Sequence, residues 1–570
     1  MTEDLIKKGA NALGYPDARP LQREVLEQVM DGKDVLAILP TSAGKSLIYQ
    51  IPAVVRPGPV VVCSPLVALM NDQVDRCRQQ GLEAHTVHSH CSASERHRAQ
   101  TAIDEGKAQI LFLSPEKLQG IDRNWFGQHQ PQLFAIDEAH CISEWGHDFR
   151  PIYGKIGRML DRYWPDTQRI ALTATAAPKV ADHITQIVFG KGRTPHKIVR
   201  SPDRPNVRYA VAGARVTVVR MVQYVDMILN LPPDQNTPVL VYGGTRRSVE
   251  EAARELRASG FRAAHYHAGM ERAERLKTEE AFRSGQVEVV CATCAFGMGI
   301  DHAQIRGVVH LEIPTSIEAF VQESGRAGRD GQQAISICRL TEETLDAALS
   351  MSLLTWPEPR RVAAFRRKLL ELLHSDTPRW EGKGKLQATS EAIAHQVGMQ
   401  PEEVGACLRI LEHAGVIRRT PYADKVAKAV ILPNAVVRLS AKRAQQLETL
   451  ARHADPSGEI VGTIAFFLSI GLNRETLERL SAAGAIRYEW AERAQVIEID
   501  NEAAVVDPSL LIEMRKRSID RVGACRTFLH TPDCRRKFLL DYFESEAEQP
   551  PMGACCDRCS AKEASSKKDG

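Results

Sequence analysis

Leu39-Pro40-Thr41-Ser42-Ala43-Gly44-Lys45-Ser46 is the stretch of this chain whose residue types and order are best fitted to chemistry. It follows the apolar run Val35–Leu39 and opens into Leu47-Ile48-Tyr49-Gln50. That gives the strand, tight loop and helix which a phosphate-binding loop requires. The backbone N–H groups of Thr41, Ser42, Ala43 and Gly44, with the helix N-terminus behind them, can surround phosphate oxygens. Lys45 can reach the β- and γ-phosphates, and the Ser46 hydroxyl can ligand Mg²⁺. Leu39 stands where the general G-x-x-x-x-G-K-S pattern has its first glycine. A second anchor, Asp137-Glu138-Ala139-His140, follows the apolar run Leu133–Ile136. Asp137 can hold Mg²⁺, directly or through water, and Glu138 can orient and deprotonate an attacking water. Arg326 and Arg329 share one helix face and can meet a γ-phosphate across a cleft, as an arginine finger does. Together these groups describe ATP hydrolysis.

Other residues extend the set. Ahead of the loop stand Tyr15, Arg19 and Gln22. The Tyr15 ring can stack on a base, and the Gln22 amide can hydrogen-bond an adenine edge. With Thr41–Ser46 and Asp137 they make the candidate cofactor site. Just past the acids, Trp145, His147, Phe149 and Arg150 crowd one short loop. Aromatic rings are platforms for single-stranded bases, and Arg150 can meet phosphate; the bland alternative is a Trp and a Phe packed in a core. Ser64, at the end of another strand, joins them as a candidate DNA contact. Near the end of the chain lie Cys534, Cys555, Cys556 and Cys559. Cys556-x-x-Cys559 has chelate spacing, and the four make a tetrad for tetrahedral Zn²⁺. Adjacent cysteines strain such a site, so Cys525 and His530 stand as alternatives to Cys555. His265-Tyr266-His267 has the spacing of a metal pair but reads as a strand end without metal.

The elements that must position these residues are short and apolar throughout. Val35–Leu39, Val60–Cys63, Ile110–Leu113, Leu133–Ile136 and Ile170–Leu172 alternate with helical patterns. Strands buried on both faces and separated by helices predict βαβ units and a parallel sheet. Ligands of such sheets bind at the carboxyl ends of the strands, where these motifs stand. After the linker Ser201-Pro202-Asp203-Arg204-Pro205 a second set follows: Val239–Tyr242, Val287–Cys291, Val308–Leu311 and Ile335–Cys338. It has no phosphate loop and carries instead Gly297-Met298-Gly299-Ile300-Asp301 and the arginine pair.

Composition sets only outer bounds. A chain of 570 residues has room for several domains. Its hydrophobic content of 43% and charged content of 25% are ordinary, and a net charge of +3 says little about nucleic acid. No apolar run approaches the ~18 residues of a membrane span. Met1-Thr2-Glu3-Asp4 lacks the features of a signal peptide, so a cytoplasmic location is expected. Most of the 13 cysteines, among them Cys63, Cys291 and Cys338, read as reduced core residues.

Gln22, Gly44-Lys45-Ser46, Asp137-Glu138-Ala139-His140, Thr173-Ala174-Thr175 and Gln322…Arg326…Arg329 together resemble a superfamily 2 helicase. The loop Trp145-Gly146-His147-Asp148-Phe149-Arg150 and Asp203-Arg204-Pro205-Asn206 narrow the resemblance to the RecQ family of DNA helicases. It covers roughly residues 10–345. It implies two RecA-like lobes with ATP between them, a catalytic role for Gln322 beside the arginines, and unwinding of duplex DNA with 3′→5′ polarity. It also implies that the Trp145 loop couples DNA contact to hydrolysis. The implied partners are single-stranded DNA and duplex junctions.

The expected organisation is α/β. Residues 1–203 form the ATP-binding lobe, 204–345 the second lobe and 346–385 a helical connector bearing a basic stripe from Arg360 to Lys368. Residues 386–440 and 441–505 are two winged-helix-like units, 506–560 a zinc-binding helical module and 561–570 a polar tail. The units share a weak repeat, Leu411-Glu-His-Ala-Gly-Val-Ile-Arg418 against Leu480-Ser-Ala-Ala-Gly-Ala-Ile-Arg487. Glu402, Glu403 and Glu412 on the first unit's recognition helix would repel phosphate. Cys534-Arg535-Arg536 and Cys556-Asp557-Arg558-Cys559 resemble the RecQ zinc module, which usually precedes the winged helix and here follows it. The remaining tail is too short for the helical accessory domain that many RecQ proteins carry. Two rival functions share the motor: a translocase, remodeller or RNA helicase, and a winged-helix regulator with an ATPase switch.

Overall fold

Runs of four β-branched or aliphatic residues, too short for helices and buried on both faces, become the strands of two parallel sheets. The computed structural model describes residues 2–566 except 41–42, 66, 89–90, 92, 119, 143–150, 191, 213–224, 226–237, 268, 271, 294–303, 340–341, 375–384, 389, 433–440, 455–457, 464–465, 468–469, 483–484, 548, 550 and 552–553. The first lobe contains β1 Val35–Ile38, β2 Val60–Cys63, β3 Ala84–Val87, β4 Ile110–Leu113, β5 Leu133–Ile136, β6 Gln168–Thr173 and β7 His196–Val199. Their order is β3-β4-β2-β5-β6-β1-β7, parallel throughout. β1, β6 and β5 are therefore neighbours, and their carboxyl ends bring the phosphate loop, Thr173 and Asp137 side by side. The two strands that the apolar pattern did not reveal, β3 and β7, are the sheet's edges. Their sequences, Ala-His-Thr-Val and His-Lys-Ile-Val, include polar residues that an edge tolerates.

The second lobe contains β8 Val207–Ala212, β9 Val239–Tyr242, β10 Ala263–Tyr266, β11 Val289–Ala292, β12 Gly307–His310 and β13 Ala334–Arg339. They run parallel in the order β10-β11-β9-β12-β13-β8. Between β12 and β13 lies the helix Ile317–Ser324, whose N-terminus is capped by Ser316 Oγ accepting from Ala319 N at 3.1 Å.

The chain divides into two compact units, Met1–Ser352 with Lys516–Gly570, and Leu353–Arg515. The expected module at 506–560 is thus not a separate body. Val522, Cys525, Phe528, Leu529, Leu539 and Cys556 share one buried core with Tyr209, Phe320 and Val321 of the second lobe. The second unit holds an antiparallel sheet of β14 Lys385–Ala388, β15 Ile417–Ile431, β16 Glu459–Thr463 and β17 Ile486–Ile499, in the order β14-β17-β15-β16. The two winged-helix-like halves share this sheet, so the expected boundary at residue 440 does not separate two sheets. The sequence repeat explains the sharing. At its offset of 69 residues, Val426–Ala429 of β15 corresponds to Gln495–Glu498 of β17. The first segment pairs with β16 and the second with β14, so the halves are related by an approximate two-fold axis.

Two of the three acids on the helix Pro401–His413 are paired, which weakens the repulsive face expected of them. Glu403 is buried in a forked ion pair with Arg361, and Glu412 accepts from Arg419 Nε at 2.8 Å. The basic stripe is partly committed as well. Besides Arg361, Arg366 donates to Glu502 O at 2.5 Å and Lys368 to Val397 O at 2.7 Å.

Candidate active site

Leu39 continues the ladder of β1, its N–H donating to Thr173 O at 3.0 Å, and its side chain is fully buried. A position still inside the sheet has no need of the glycine that the general loop pattern places there. The turn itself comes at Gly44, with φ +70°. A Cβ on Gly44 would lie 2.5 Å from Gln22 Nε2, so both conformation and space require glycine. Lys45 and Ser46 then lead into the helix Leu47–Val55. Thr41 and Ser42 lie outside the described residues. Gln22 does something the sequence did not suggest. Its Nε2 donates to Ala43 O at 2.9 Å and Gly44 O at 3.0 Å, while Oε1 accepts from Arg19 N at 2.9 Å. The amide expected to read adenine is here committed to the phosphate loop. Tyr15 is 45% exposed, and its hydroxyl accepts from Gln80 Nε2 at 3.3 Å.

Asp137 follows β5 directly, its N–H donating to Cys63 O at 2.9 Å. Glu138 has φ +47°, a left-handed conformation that costs a non-glycine residue energy and gathers at functional sites. His140 Nδ1 lies 3.0 Å from Thr173 Oγ1 and 3.3 Å from Glu138 Oε2, which ties the Asp-Glu-Ala-His and Thr-Ala-Thr segments together. Burial and the neighbouring Glu138 push Asp137 up to about 7, against the pull of Lys45. Asp137 and Glu138 place two carboxylates next to Lys45. With the Ser46 hydroxyl they form a hard oxygen donor set that suits Mg²⁺. Burial lowers the Lys45 ammonium's pKa, Glu138 and Asp137 oppose this, and Arg329 and Arg326 of the second lobe reinforce it. The structure therefore brings the lysine, the acid pair and both arginines into one electrostatic neighbourhood.

Gln322 sits on the helix Ile317–Ser324, and the arginines follow in the turn after it. That turn is held from behind. Arg204 Nη1 donates to Gly325 O at 2.5 Å, and its Nη2 to Ala327 O at 2.7 Å and Gly328 O at 2.8 Å. Asn206 Nδ2 donates to Gly328 O at 2.8 Å and Gln332 O at 2.7 Å. The sequence had marked Arg204 as linker and Asp203–Asn206 as part of the family resemblance, without a role for either Arg204 or Asn206; their signal was two polar side chains in a stretch that becomes buried.

The DNA candidates fare differently. Ser64 is 1% exposed at the end of β2, so in this structure its side chain is not the surface group that the strand-end position suggested. Trp145, His147, Phe149 and Arg150 lie outside the described residues, as does Gly297–Asp301. Glu250, His265 and His267 converge, with His267 Nε2 2.9 Å from Glu250 Oε1.

Cys534, Cys555, Cys556 and Cys559 come together with all four sulfurs within 4.8 Å of one another. Cys534 Sγ is 3.4 Å from Cys555 Sγ, and Cys555 Sγ is 3.6 Å from Cys559 Sγ. Zn–S bonds of about 2.3 Å in a tetrahedron place sulfurs roughly 3.8 Å apart, so the four thiols fit Zn²⁺ without Cys525 or His530. Cys525 is instead buried in the core shared with the second lobe. The intervening charges have their own tasks. Arg535 reaches Asp557 through Nε–Oδ1 at 2.6 Å and Nη2–Oδ2 at 3.0 Å, tying the two cysteine segments. Arg536 forks onto Asp203, with Nε–Oδ1 at 2.8 Å.

Two parallel-sheet lobes, with a phosphate loop and acid pair on one and an arginine pair on the other, have the layout that the superfamily 2 resemblance implies. Residues 19–184 match the family described as DEAD/DEAH box helicase, and residues 222–331 match the helicase conserved C-terminal domain. The chain is 39% identical over 357 residues to "ATP-dependent DNA helicase RecQ" of Haemophilus influenzae, covering 62% of this chain and 55% of that protein. It is 38% identical over 327 residues to "Probable ATP-dependent DNA helicase RecS" of Bacillus subtilis, covering 57% and 64%. Over these residues the chain is similar to RecQ helicases. It spans between 55% and 64% of the length of these curated relatives. The fold is also that of the DUF1998 helicase MrfA in its crystal structure bound to DNA, with a TM-score of 0.51, 18% identity, and coverage of 60% of this chain and 49% of that one.

Proposed function

We propose that this chain is an ATP-dependent DNA helicase that unwinds duplex DNA with 3′→5′ polarity in repair or recombination. The observation that carries the reading is the meeting of the phosphate loop, Thr173 and the Asp137–Glu138 pair at the ends of β1, β6 and β5, with Arg326 and Arg329 of the second lobe near enough to act on the Lys45 charge. Lys45 and the loop N–H groups bind the β- and γ-phosphates of ATP. Glu138 orients the attacking water and accepts its proton as the water oxygen bonds to the γ-phosphorus and the bond to ADP breaks. Arg326 and Arg329, with Gln322 nearby, stabilise the charge on the equatorial oxygens. Ser46 and Asp137 would hold Mg²⁺, which would supply further neutralisation of the phosphates. Lobe closure on ATP and opening after hydrolysis ratchet the motor along single-stranded DNA, and the Trp145 loop couples DNA contact to hydrolysis. The four cysteines hold a structural Zn²⁺. No described helix is long and apolar enough to cross a membrane, and the reading places the enzyme in the cytoplasm, where thiols stay reduced.

The test is strand separation, with ATP and Mg²⁺, on duplexes tailed at the 3′ or the 5′ end. Unwinding of the 3′-tailed duplex alone is expected. Hydrolysis without unwinding of either would favour a translocase or a regulator with an ATPase switch. Stimulation by RNA in preference to DNA would favour an RNA helicase.

A further inference from the structure

We propose that the cysteine module positions Arg326 and Arg329, acting through Asp203, Arg204 and Asn206 between the lobes. The inference rests on the reading of the two arginines as the second lobe's contribution to ATP hydrolysis. Asp203, Arg204 and Asn206 are positioning residues, since none of them is placed to touch the phosphates.

The connection can be followed atom by atom. Arg536 stands two residues after Cys534, and Arg535 between them is locked to Asp557 of the Cys556–Cys559 turn. Arg536 forks onto both oxygens of Asp203 and also donates to Gln549 O at 2.6 Å. The Arg536 and Asp203 side chains are 7% and 4% exposed. The next residue, Arg204, is the one whose guanidinium gathers the carbonyls of Gly325, Ala327 and Gly328, which flank Arg326 and precede Arg329. Asn206 closes the same turn onto Gly328 and Gln332. Beyond it, Tyr209 N donates to Cys555 O at 3.0 Å, so the first residues of β8 are fixed by the module as well.

The module also braces the approach to the arginines. Phe528 packs on Phe320 with ring centroids 4.9 Å apart, and Tyr542 Oη donates to Glu318 Oε1 at 2.9 Å. Both residues lie on the helix Ile317–Ser324, which runs into the arginine turn. The turn is therefore held from its helix and from its carbonyls, and both holds lead to the module. A forked pair buried on both sides is strongly directional while complete, and leaves an uncompensated charge when one partner is removed. Loss of the fork frees Asp203, then Arg204, and the arginines lose register with the first lobe. A misplacement of about 1 Å at a reacting centre costs about 10²-fold in rate.

The experiment uses the full chain carrying Arg536→Gln, and separately Asp203→Asn. Three quantities are read: kcat and KM for ATP with single-stranded DNA present, affinity for the DNA oligonucleotide, and hydrogen–deuterium exchange of peptides over 325–332 and, as a control, over β1. The expected result is a fall in kcat of about 10- to 100-fold, with KM for ATP and DNA affinity within about twofold. Exchange rises at 325–332 and stays unchanged at β1. Arg536→Lys, which keeps the charge without the fork, recovers part of the loss. Normal kcat with normal exchange at 325–332 in a folded variant would overturn the proposal, and so would a general rise in exchange including β1. If Arg536→Gln does not fold, Asp203→Asn, which keeps the shape of the side chain, decides. Should the unaltered protein hydrolyse no ATP, the function reading fails, while the exchange data still decide whether the module holds the turn.

Discussion

Replacing Gln22 with alanine is expected to loosen the phosphate loop itself, beyond any effect on an adenine ring. The amide nitrogen donates to two loop carbonyls, Ala43 O at 2.9 Å and Gly44 O at 3.0 Å, and the side chain is only 5% exposed. Two such hydrogen bonds contribute about 1 kcal/mol each, and truncation leaves both carbonyls short of a donor. A loss of about 2 kcal/mol corresponds to about a 30-fold weaker complex. Because the defect lies in the loop, it falls on anything the loop holds. Tripolyphosphate carries the phosphates without a base, so it separates the two roles. In competition with a fluorescent ATP analogue, the Gln22→Ala protein is expected to bind ATP and tripolyphosphate more weakly by similar factors. Gln22→Glu should be worse, since it turns a carboxylate toward two carbonyl oxygens. If ATP binding weakens while tripolyphosphate binding is unchanged, the amide serves the adenine alone and the reasoning is wrong.

Other expectations can be checked alongside. Lys45→Ala should abolish hydrolysis while single-stranded DNA binding, measured by fluorescence anisotropy, stays within a few-fold of normal; loss of both would sink the role given to Lys45. Gly328→Ala places a methyl 2.4 Å from Asn206 Nδ2 and 2.7 Å from Gln332 O at a φ of +61°. Left-handed strain plus the displaced Asn206 hydrogen bonds should cost about 2–3 kcal/mol, read as a lower urea midpoint, with turnover reduced as well. The purified protein should contain one Zn²⁺ per chain by atomic emission, and Cys559→Ser should lose it with a lower Tm. A zinc-free wild type that melts at the same temperature would reject the metal.

The sequence conveyed most plainly what is apolar, local or charged in short order. β1, β2, β4 and β5 were legible because a doubly buried strand has no polar residue to hide it. The loop, the acid pair and the cysteine quartet were legible because each lies within a few residues, apart from Cys534. What escaped were relations between distant segments. Nothing local tells that Gln22 answers to Gly44, that Arg204 gathers the arginine turn, or that Arg536 meets Asp203 across the fold. Ser64 failed for the opposite reason: its position after a strand was right, but burial is set by what packs above it. The acids at 403 and 412 misled because a charge count cannot see a paired partner, Arg361 for one and Arg419 for the other.

The unusual place of the cysteine module in the chain follows from the same logic. Position in the fold is decided by the surface that must be buried, here Phe528, Leu539 and Cys556 against the second lobe, and not by order along the sequence. An intervening segment adds little, since each doubling of a connection costs only about 0.6 kcal/mol of closure entropy. Residues 353–515 should therefore be removable. Their two ends adjoin, because Arg515 Nη1 lies 3.3 Å from Leu353 O. One arginine side chain spans that gap, so a Gly/Ser linker of about four residues, at about 3.5 Å each, bridges it. A chain joining Ser352 to Lys516 in this way should fold, keep one zinc, and hydrolyse ATP. Its DNA contacts would be reduced to those of the motor and the cysteine module. Aggregation, or loss of the metal from a soluble product, would mean that the second unit completes the first and that the core described above does not close without it.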